Sequence, residues 1–585
     1  MALLIGLGLL FSWPLLLHGI PDLSHDGVDH ARWAKQFSVQ FWNGNLFPRW
    51  FTGVNGGLGG PSGFFYPPLT SYASSVFWPL LSDHDPAGWL AAGYALALAQ
   101  ILSGITAYWW LRSLVEARAA LLGAALYAIA PYHLALDVYV RGASAEAWVF
   151  VWFPLVLWSA GALSRHSRWA LPVASVSYAL AVLSHPTVSL CFAPIPVSYV
   201  FVFSERKERL RNTAWIVAAL LLGVGLNAQY LLPAMLDQNK AYVVWQTVGH
   251  GDYSNQWIWQ DGHELAEMGR YIYGKLARAP YEIYWESLIK LPFLVVSLTT
   301  SIAIACLLWV IRFQQKGTLL RIAWFYGVVA LLSVFLMTKF SVLIWRVVPF
   351  LKFLQYPFRF NVMLVISLAA LAALAVAGLP STYARYASAL LGLIVLSWVG
   401  LDVYGVAQGY SVWRSEAPVR LEYFRQLART QIDYSSMWPR PGNNTVLSDF
   451  RAFDGFVAAH PPKTGKLEGS AGVVQVLRWT PRHVVLQIES PRNSELTLNH
   501  FYYAGWQGRF SDGTIAAAHP SPDGLIQLNV PQGSYQMVIE LARSESEHAG
   551  MAISLASLVL FVGATIWRLR HDRPSLRAQD TTFTV

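Results

Sequence analysis

The sequence predicts an α-helical polytopic membrane protein of about 12 transmembrane helices with a C-terminal extracytoplasmic β-rich domain. Three observations lead there. Of 585 residues, 55% are hydrophobic and 13% charged, about half the charged share of a soluble chain. The mean hydropathy is +0.39, and the apolar residues gather into runs near the 20 or so that cross a bilayer. One late stretch, 406–549, returns to soluble composition with 13 Lys/Arg and 13 Asp/Glu. A soluble multidomain enzyme, a disordered chain and a collagen-like repeat are excluded by the same figures.

Taken in order, the candidate spans lie at 2–20, 88–111, 119–136, 147–163, 169–183, 187–204, 213–235, 289–311, 322–338, 360–379, 389–405 and 550–567. Met1 to Ile20 has no basic n-region and no clear small-residue cleavage site, so it reads as a retained anchor. With the N-terminus in the cytoplasm, every short inner loop carries a basic residue: Arg112 and Arg118, Arg165 and Arg168, Arg206 to Arg211, Arg312 to Arg321, and Arg385. Arg568, Arg570, Arg573 and Arg577 follow the last span on the same side, placing both termini in the cytoplasm. The net charge of +9 is thus a topology signal, and nucleic acid is not an expected partner. Cys191 and Cys306 lie inside apolar runs, so no disulfide framework and no cysteine metal site is expected.

The opposite face receives the large segments: loops 21–87, 137–146 and 236–288, the stretch 339–359, and the domain 406–549. Three units result: a transmembrane domain at 1–405 with its outer loop 21–87, the outer domain at 406–549, and a final span with a basic tail at 550–585. Within the outer domain, Val473–Trp479, His483–Ile488, Glu495–Tyr503, Leu525–Val530 and Tyr535–Leu541 alternate as strands do, with Gly-containing turns between them. A small β-sandwich is expected.

Ionisable residues at the outer ends of spans are functional candidates, because charge near the bilayer is costly. Loop 21–87 opens with Ser24-His25-Asp26-Gly27-Val28-Asp29-His30. A helix starting near Asp26 places Asp26 and His30 on one face at i,i+4, although Asp26 equally suits a plain N-cap. The glycine run Gly56-Gly57-Leu58-Gly59-Gly60 lacks the Lys-Ser/Thr of a phosphate loop and reads as a tight loop at the membrane surface. In loop 137–146, Arg141 and Glu146 either pair with each other or hold and orient a phosphate. Arg359, entering the tenth span after Gln355-Tyr356-Pro357-Phe358, calls for an anionic partner such as a lipid head group. His185, between two spans, suits a satisfied loop histidine. His263-Glu264-Leu265-Ala266-Glu267 lacks the second histidine of a zincin, and Asn443-Asn444-Thr445 is a chance-level sequon. In loop 236–288, Trp245, Trp257 and Trp259 beside His250, Asp252 and His263 suit an interfacial aromatic segment or an acceptor-side lid.

Asp26 with His30, Phe47-Pro48-Arg49-Trp50, the glycines before Phe65-Tyr66-Pro67-Pro68-Leu69, Tyr139-Val140-Arg141-Gly142 with Glu146, Leu354 to Arg359, and Phe501-Tyr502-Tyr503-Ala504-Gly505-Trp506 together resemble one family. It is the bacterial membrane proteins described as YfhO-like or 6-pyruvoyl-tetrahydropterin-synthase-related. Their layout is similar to that of the GT-C glycosyltransferases, which implies a GT-C-like transmembrane domain at 1–405. The resemblance implies transfer of a sugar from a polyprenyl-phosphate donor to an extracytoplasmic acceptor at a bacterial inner membrane, with the site on the periplasmic side. Asp26 would take the acidic position with His30 beside it, and Asp29 or Glu146 would be the second acid. Arg141, Arg359 and Arg49 would hold the donor phosphate, with Glu146, His185 and Gln355 in support. No metal or other cofactor is implied. A transporter or flippase of a lipid-linked precursor is the alternative.

Overall fold

The computed structural model describes residues 1–85, 87–241, 252–259, 278–313, 317–377, 381–410 and 450–571. Trp245, His250, His263, the sequon at Asn443, Arg573, Arg577 and residues 411–449 of the expected outer domain lie outside these residues.

Each candidate span has a helix. They are α1 (Ala2–His18), α4 (Trp89–Arg112), α5 (Ala117–Ala128), α6 (Ser144–Ser164), α7 (Ala170–Ser184), α8 (Pro186–Phe203), α9 (Arg209–Leu226), α11 (Arg278–Phe313), α12 (Thr318–Leu336), α13 (Asn361–Val376), α14 (Ser381–Gly409) and α16 (Glu545–His571). The outer loop adds α2 (Gly27–Trp42) and α3 (Leu69–Leu81), and α10 (Ala228–Leu236) and α15 (Phe450–Ala459) complete the helices used below. Among the described residues, nine helices are long and apolar enough to cross a membrane, fewer than the expected twelve. Helices α1 and α7 are apolar but shorter, at 17 and 15 residues.

Two expected boundaries are corrected. The segment 137–146 is not a loop, because Tyr132–Arg141 continues α5 as a π-helix and α6 begins at Ser144. The wider register is visible where the Leu136 N–H donates to the Pro131 carbonyl at 2.9 Å. Charges expected to break the span stay in the helix because they pair along it, Arg141 with Asp137 at i,i+4. Gly142, at φ 63°, ends the segment and lies so close to Ser24 that a Cβ would overlap the serine. The expected span 213–235 breaks at Asn227, whose side chain donates to the Ala179 carbonyl at 2.7 Å and the Gly223 carbonyl at 3.1 Å.

The strands form two sheets. One has the order β1 (Gly465–Glu468), β4 (Ser494–Phe501), β8 (Leu525–Val530), β7 (His519–Pro520). The other has the order β2 (Val473–Trp479), β3 (His483–Ser490), β9 (Gly533–Leu541), β5 (Trp506–Phe510), β6 (Ile515–Ala517). All named pairings are antiparallel. Alternate residues Val484, Leu486 and Ile488 of one sheet meet Leu496, Leu498, Ile526 and Leu528 of the other in a shared buried core, the packing of a β-sandwich. The five strands expected from alternation are present, and four short ones are added. Helix α16 starts on a capping box in which the Ser544 N–H donates to Glu547 Oε2 at 3.1 Å and the Glu547 N–H donates to Ser544 Oγ at 3.3 Å.

Candidate functional site

The end of the π-helix, the start of α6, the α7–α8 junction and the turn ahead of α13 meet at one end of the helix bundle, where Arg141, Glu146, His185 and Arg359 act on one another. The β-sandwich is tied to α10: Ser544 Oγ and Ser546 Oγ both donate to Asp237, at 2.9 and 2.6 Å.

Asp26 is the N-cap residue of α2, yet its carboxylate makes no capping hydrogen bond. Its backbone is instead docked against the end of the π-helix. The Asp26 N–H donates to the Arg141 carbonyl at 2.8 Å and the His25 N–H to the Val140 carbonyl at 3.3 Å. Gly142 and Gly27 permit this approach, since a Cβ on either would collide with Ser24.

Beneath Asp26 lies a buried ionic network. Arg141 Nη1 is 2.5 Å from Asp137 Oδ1 and 2.9 Å from Glu146 Oε2. Arg359 Nε reaches the same Glu146 oxygen at 3.2 Å. The Tyr132 hydroxyl donates to the other Glu146 oxygen. Arg141, Asp137 and Glu146 are buried, whereas Asp26, Gln355, Tyr356, Arg359 and His185 keep partial exposure. The site therefore has an accessible rim over a closed foundation. Burial pushes the Asp26 carboxyl above its ordinary range; the charges of Arg141 and Arg359 oppose this and that of Glu146 adds to it. Burial also pushes His185 down to about 3, with Arg359 contributing. His185 Nδ1 accepts the Val188 N–H at 3.4 Å and caps α8.

The expected site residues thus divide. Asp26, Arg141, Arg359, Glu146, His185 and Gln355 converge, the last in a turn whose Leu354 carbonyl accepts from Arg359 Nη1 at 2.8 Å. His30 turns into an aromatic cluster instead, with its Nε2 3.2 Å from the Tyr66 hydroxyl and Trp33 packed edge-on. Burial lowers it to about 3, so it is neutral. Asp29 pairs with Arg32 along α2. Arg49 sits in a second buried group, donating to the Gln229 carbonyl and lying 3.8 Å from Glu547, with Phe64 under its guanidinium. Arg482 of the sandwich binds that same Glu547 through two nitrogens, at 3.1 Å each. Arg49 therefore stands at the joint of outer loop, sandwich and final helix. Close by, Trp50 Nε1 donates to His500 Nε2 at 2.8 Å. In loop 236–288, Trp257 packs on Trp345 with ring centres 5.5 Å apart, and Asp252 accepts the Ser254 N–H at 2.9 Å.

Four members of the converging group were not singled out from the sequence: His25, Tyr132, Asp137 and Tyr356. Asp137 carried a usable signal, its i,i+4 spacing from Arg141. Tyr132 carried none.

No family model and no curated protein matches the chain, so the resemblance drawn from its motifs has no counterpart there. Among solved structures, the arabinofuranosyltransferase AftD from Mycobacteria is 14% identical, with 70% of this chain and 28% of that one covered, at a TM-score of 0.42. The oligosaccharyltransferase AglB from Archaeoglobus fulgidus, in complex with an inhibitory peptide and a dolichol-phosphate, is 14% identical, with 95% and 77% covered, at 0.37. The A. fulgidus oligosaccharyltransferase complex with zinc and sulfate is 17% identical, with 70% and 53% covered, at 0.37. The chain spans under a third of the length of the first of these.

Proposed function

We propose that the chain is a membrane glycosyltransferase that moves a sugar from a polyprenyl-phosphate donor to an extracytoplasmic acceptor with inversion. The single observation that carries this reading is the convergence of two partly exposed residues, Asp26 and Arg359, over the buried Asp137–Arg141–Glu146 network. A lipid-phosphate donor reaches such a site from the bilayer and brings its own leaving group. Asp26 takes the proton of the acceptor hydroxyl as that oxygen bonds to the anomeric carbon. The bond from the anomeric carbon to the phosphate oxygen breaks, and Arg359 receives the growing phosphate charge in a partly dry setting. A single displacement inverts the centre. Glu146 is the second acid and acts as a positioning residue, because one of its oxygens engages both arginines.

By the distribution of basic loops, the site faces the outer side of a bacterial inner membrane, with both termini cytoplasmic. The test is turnover of a panel of radiolabelled polyprenyl-phosphate sugars by the purified protein and by Asp26→Asn. Loss of a positioned general base removes about 10²- to 10⁴-fold. An Asp26→Asn enzyme transferring sugar at the wild-type rate would show the assignment wrong. Saturable lipid binding without turnover would favour the transporter reading.

A further inference from the structure

The turn ahead of α13 has an unusual backbone. Gln355 has φ 62° and ψ −56°, and the Tyr356 N–H donates back to the Leu354 carbonyl at 2.7 Å. A bond from i to i+2 around those angles is the rare, strained γ-turn rather than the common inverse form. A non-glycine residue there is strained and persists only where its surroundings over-determine it.

Those surroundings are specific. Pro357 follows and restricts Tyr356 to extended backbone, observed at φ −109° and ψ 109°. The Leu354 carbonyl accepts the turn's own N–H and also Arg359 Nη1 at 2.8 Å, while Arg359 Nε lies 3.2 Å from Glu146. The turn is therefore locked to the buried network through Arg359. The Tyr356 ring stacks on Phe358 at 5.2 Å and has the Arg359 guanidinium over its face at 5.1 Å. Asp26, Arg141 and Arg359 all act electrostatically on its hydroxyl. Burial holds that hydroxyl above its ordinary range, so it stays a hydrogen-bond donor. Like Arg359, Tyr356 keeps partial exposure. A turn that served only to connect two elements would form without strain on a glycine.

We propose that Tyr356 is a ligand-contacting residue that donates its phenolic O–H to a phosphate oxygen of the lipid-linked ligand beside Arg359, positioned by the strained Leu354–Gln355–Tyr356 turn. This rests on the lipid-phosphate reading above. No bond is made or broken by Tyr356; it is a hydrogen-bond donor to an anion.

Equilibrium binding of farnesyl phosphate to the purified full-length protein in nanodiscs tests it, with farnesol and inorganic phosphate as controls. The wild type binds farnesyl phosphate more tightly than either control. Tyr356→Phe weakens binding about 10- to 100-fold, the equivalent of one hydrogen bond to a charged group. Gln355→Gly removes the side chain but adopts positive φ freely, and is the reference for the valine variant. Gln355→Val loses the same side chain but resists positive φ, and weakens binding as much as Tyr356→Phe. Gln355→Ala replaces it should the valine variant not fold. Farnesyl phosphate that fails to bind the wild type, or binds no better than inorganic phosphate, overturns the lipid-phosphate reading and this proposal with it. Normal binding that Tyr356→Phe leaves intact overturns the tyrosine alone. Equal binding by the glycine and valine variants overturns the role of the turn.

Discussion

Glu146→Gln isolates the centre of the buried network. Glu146 accepts from two donors, the Tyr132 hydroxyl and Arg141 Nη1 at 2.9 Å, and forms an ion pair with Arg359 Nε at 3.2 Å. Glutamine keeps the shape and can still accept on one side. On the other it points an amide N–H₂ at two guanidiniums, or turns that amide toward the tyrosine hydroxyl. Arg141 retains Asp137 at 2.5 Å, while Arg359 retains the Leu354 carbonyl at 2.8 Å and the face of the Tyr356 ring. Removing one partner of a buried pair costs about 3–5 kcal/mol, much of it the charge left behind. Because Arg141 keeps a second carboxylate and Arg359 keeps a route to solvent, the lower end, about 3 kcal/mol, is expected. The assay is reversible unfolding of the detergent-solubilised protein, in a double-mutant cycle with Arg359→Gln. The cycle should return a coupling of about 1–3 kcal/mol. A total cost below about 1 kcal/mol, the range of exposed pairs, together with zero coupling, would refute the claim that this carboxylate holds the arginines in place.

Four further outcomes are expected. Since Asp26 titrates above its ordinary range, the acid limb of the kcat/KM profile lies above that range, and activity falls as pH drops through it. A limb at or below about pH 4, the ordinary aspartate value, speaks against Asp26 as the base. His30, His185 and His500 are each held near 3 against an ordinary 6.5. The unfolded state therefore binds more protons between those values, and stability is lost as pH falls from 6.5 toward 3; a thermal midpoint unchanged from pH 6.5 to 4 contradicts this. Arg49→Gln loosens the loop–sandwich joint, read as faster proteolysis within the β-domain. Because Arg49 belongs to a separate group, it leaves donor KM within about threefold, and a tenfold rise would return it to the donor site. Gly142→Ala, at φ 63° and pressed on Ser24, destabilises by about 1–2 kcal/mol or more and lowers kcat through Asp26; unchanged unfolding refutes the packing argument.

The sandwich shows how far local pattern reaches. Alternation in β3 marked its strand because one face meets the other sheet, a period the sequence must carry. The spans were legible for a similar reason, since each needs its own apolar length. The π-helix was not. Asp137, Arg141 and Glu146 look like loop residues until the helix runs on to Arg141 and the turn at Gly142 brings Glu146 of α6 back to it, and only paired are they tolerated beside apolar spans.

What the sequence determined by itself is what each segment must satisfy alone: apolar length for a span, two-residue alternation for a strand, basic residues where short loops end. Tertiary structure decided the grouping of the charges. Asp26 and Arg359 are separated by more than three hundred residues of chain, and they share a site with Arg141 because Gly142 lets two backbones touch and one glutamate oxygen serves two arginines. The same step placed Arg49, His30 and Asp29 elsewhere, since side chains of equal chemistry differ only in what the fold packs against them. Local pattern does not encode a contact between distant segments, because its energy exists only once both are in place.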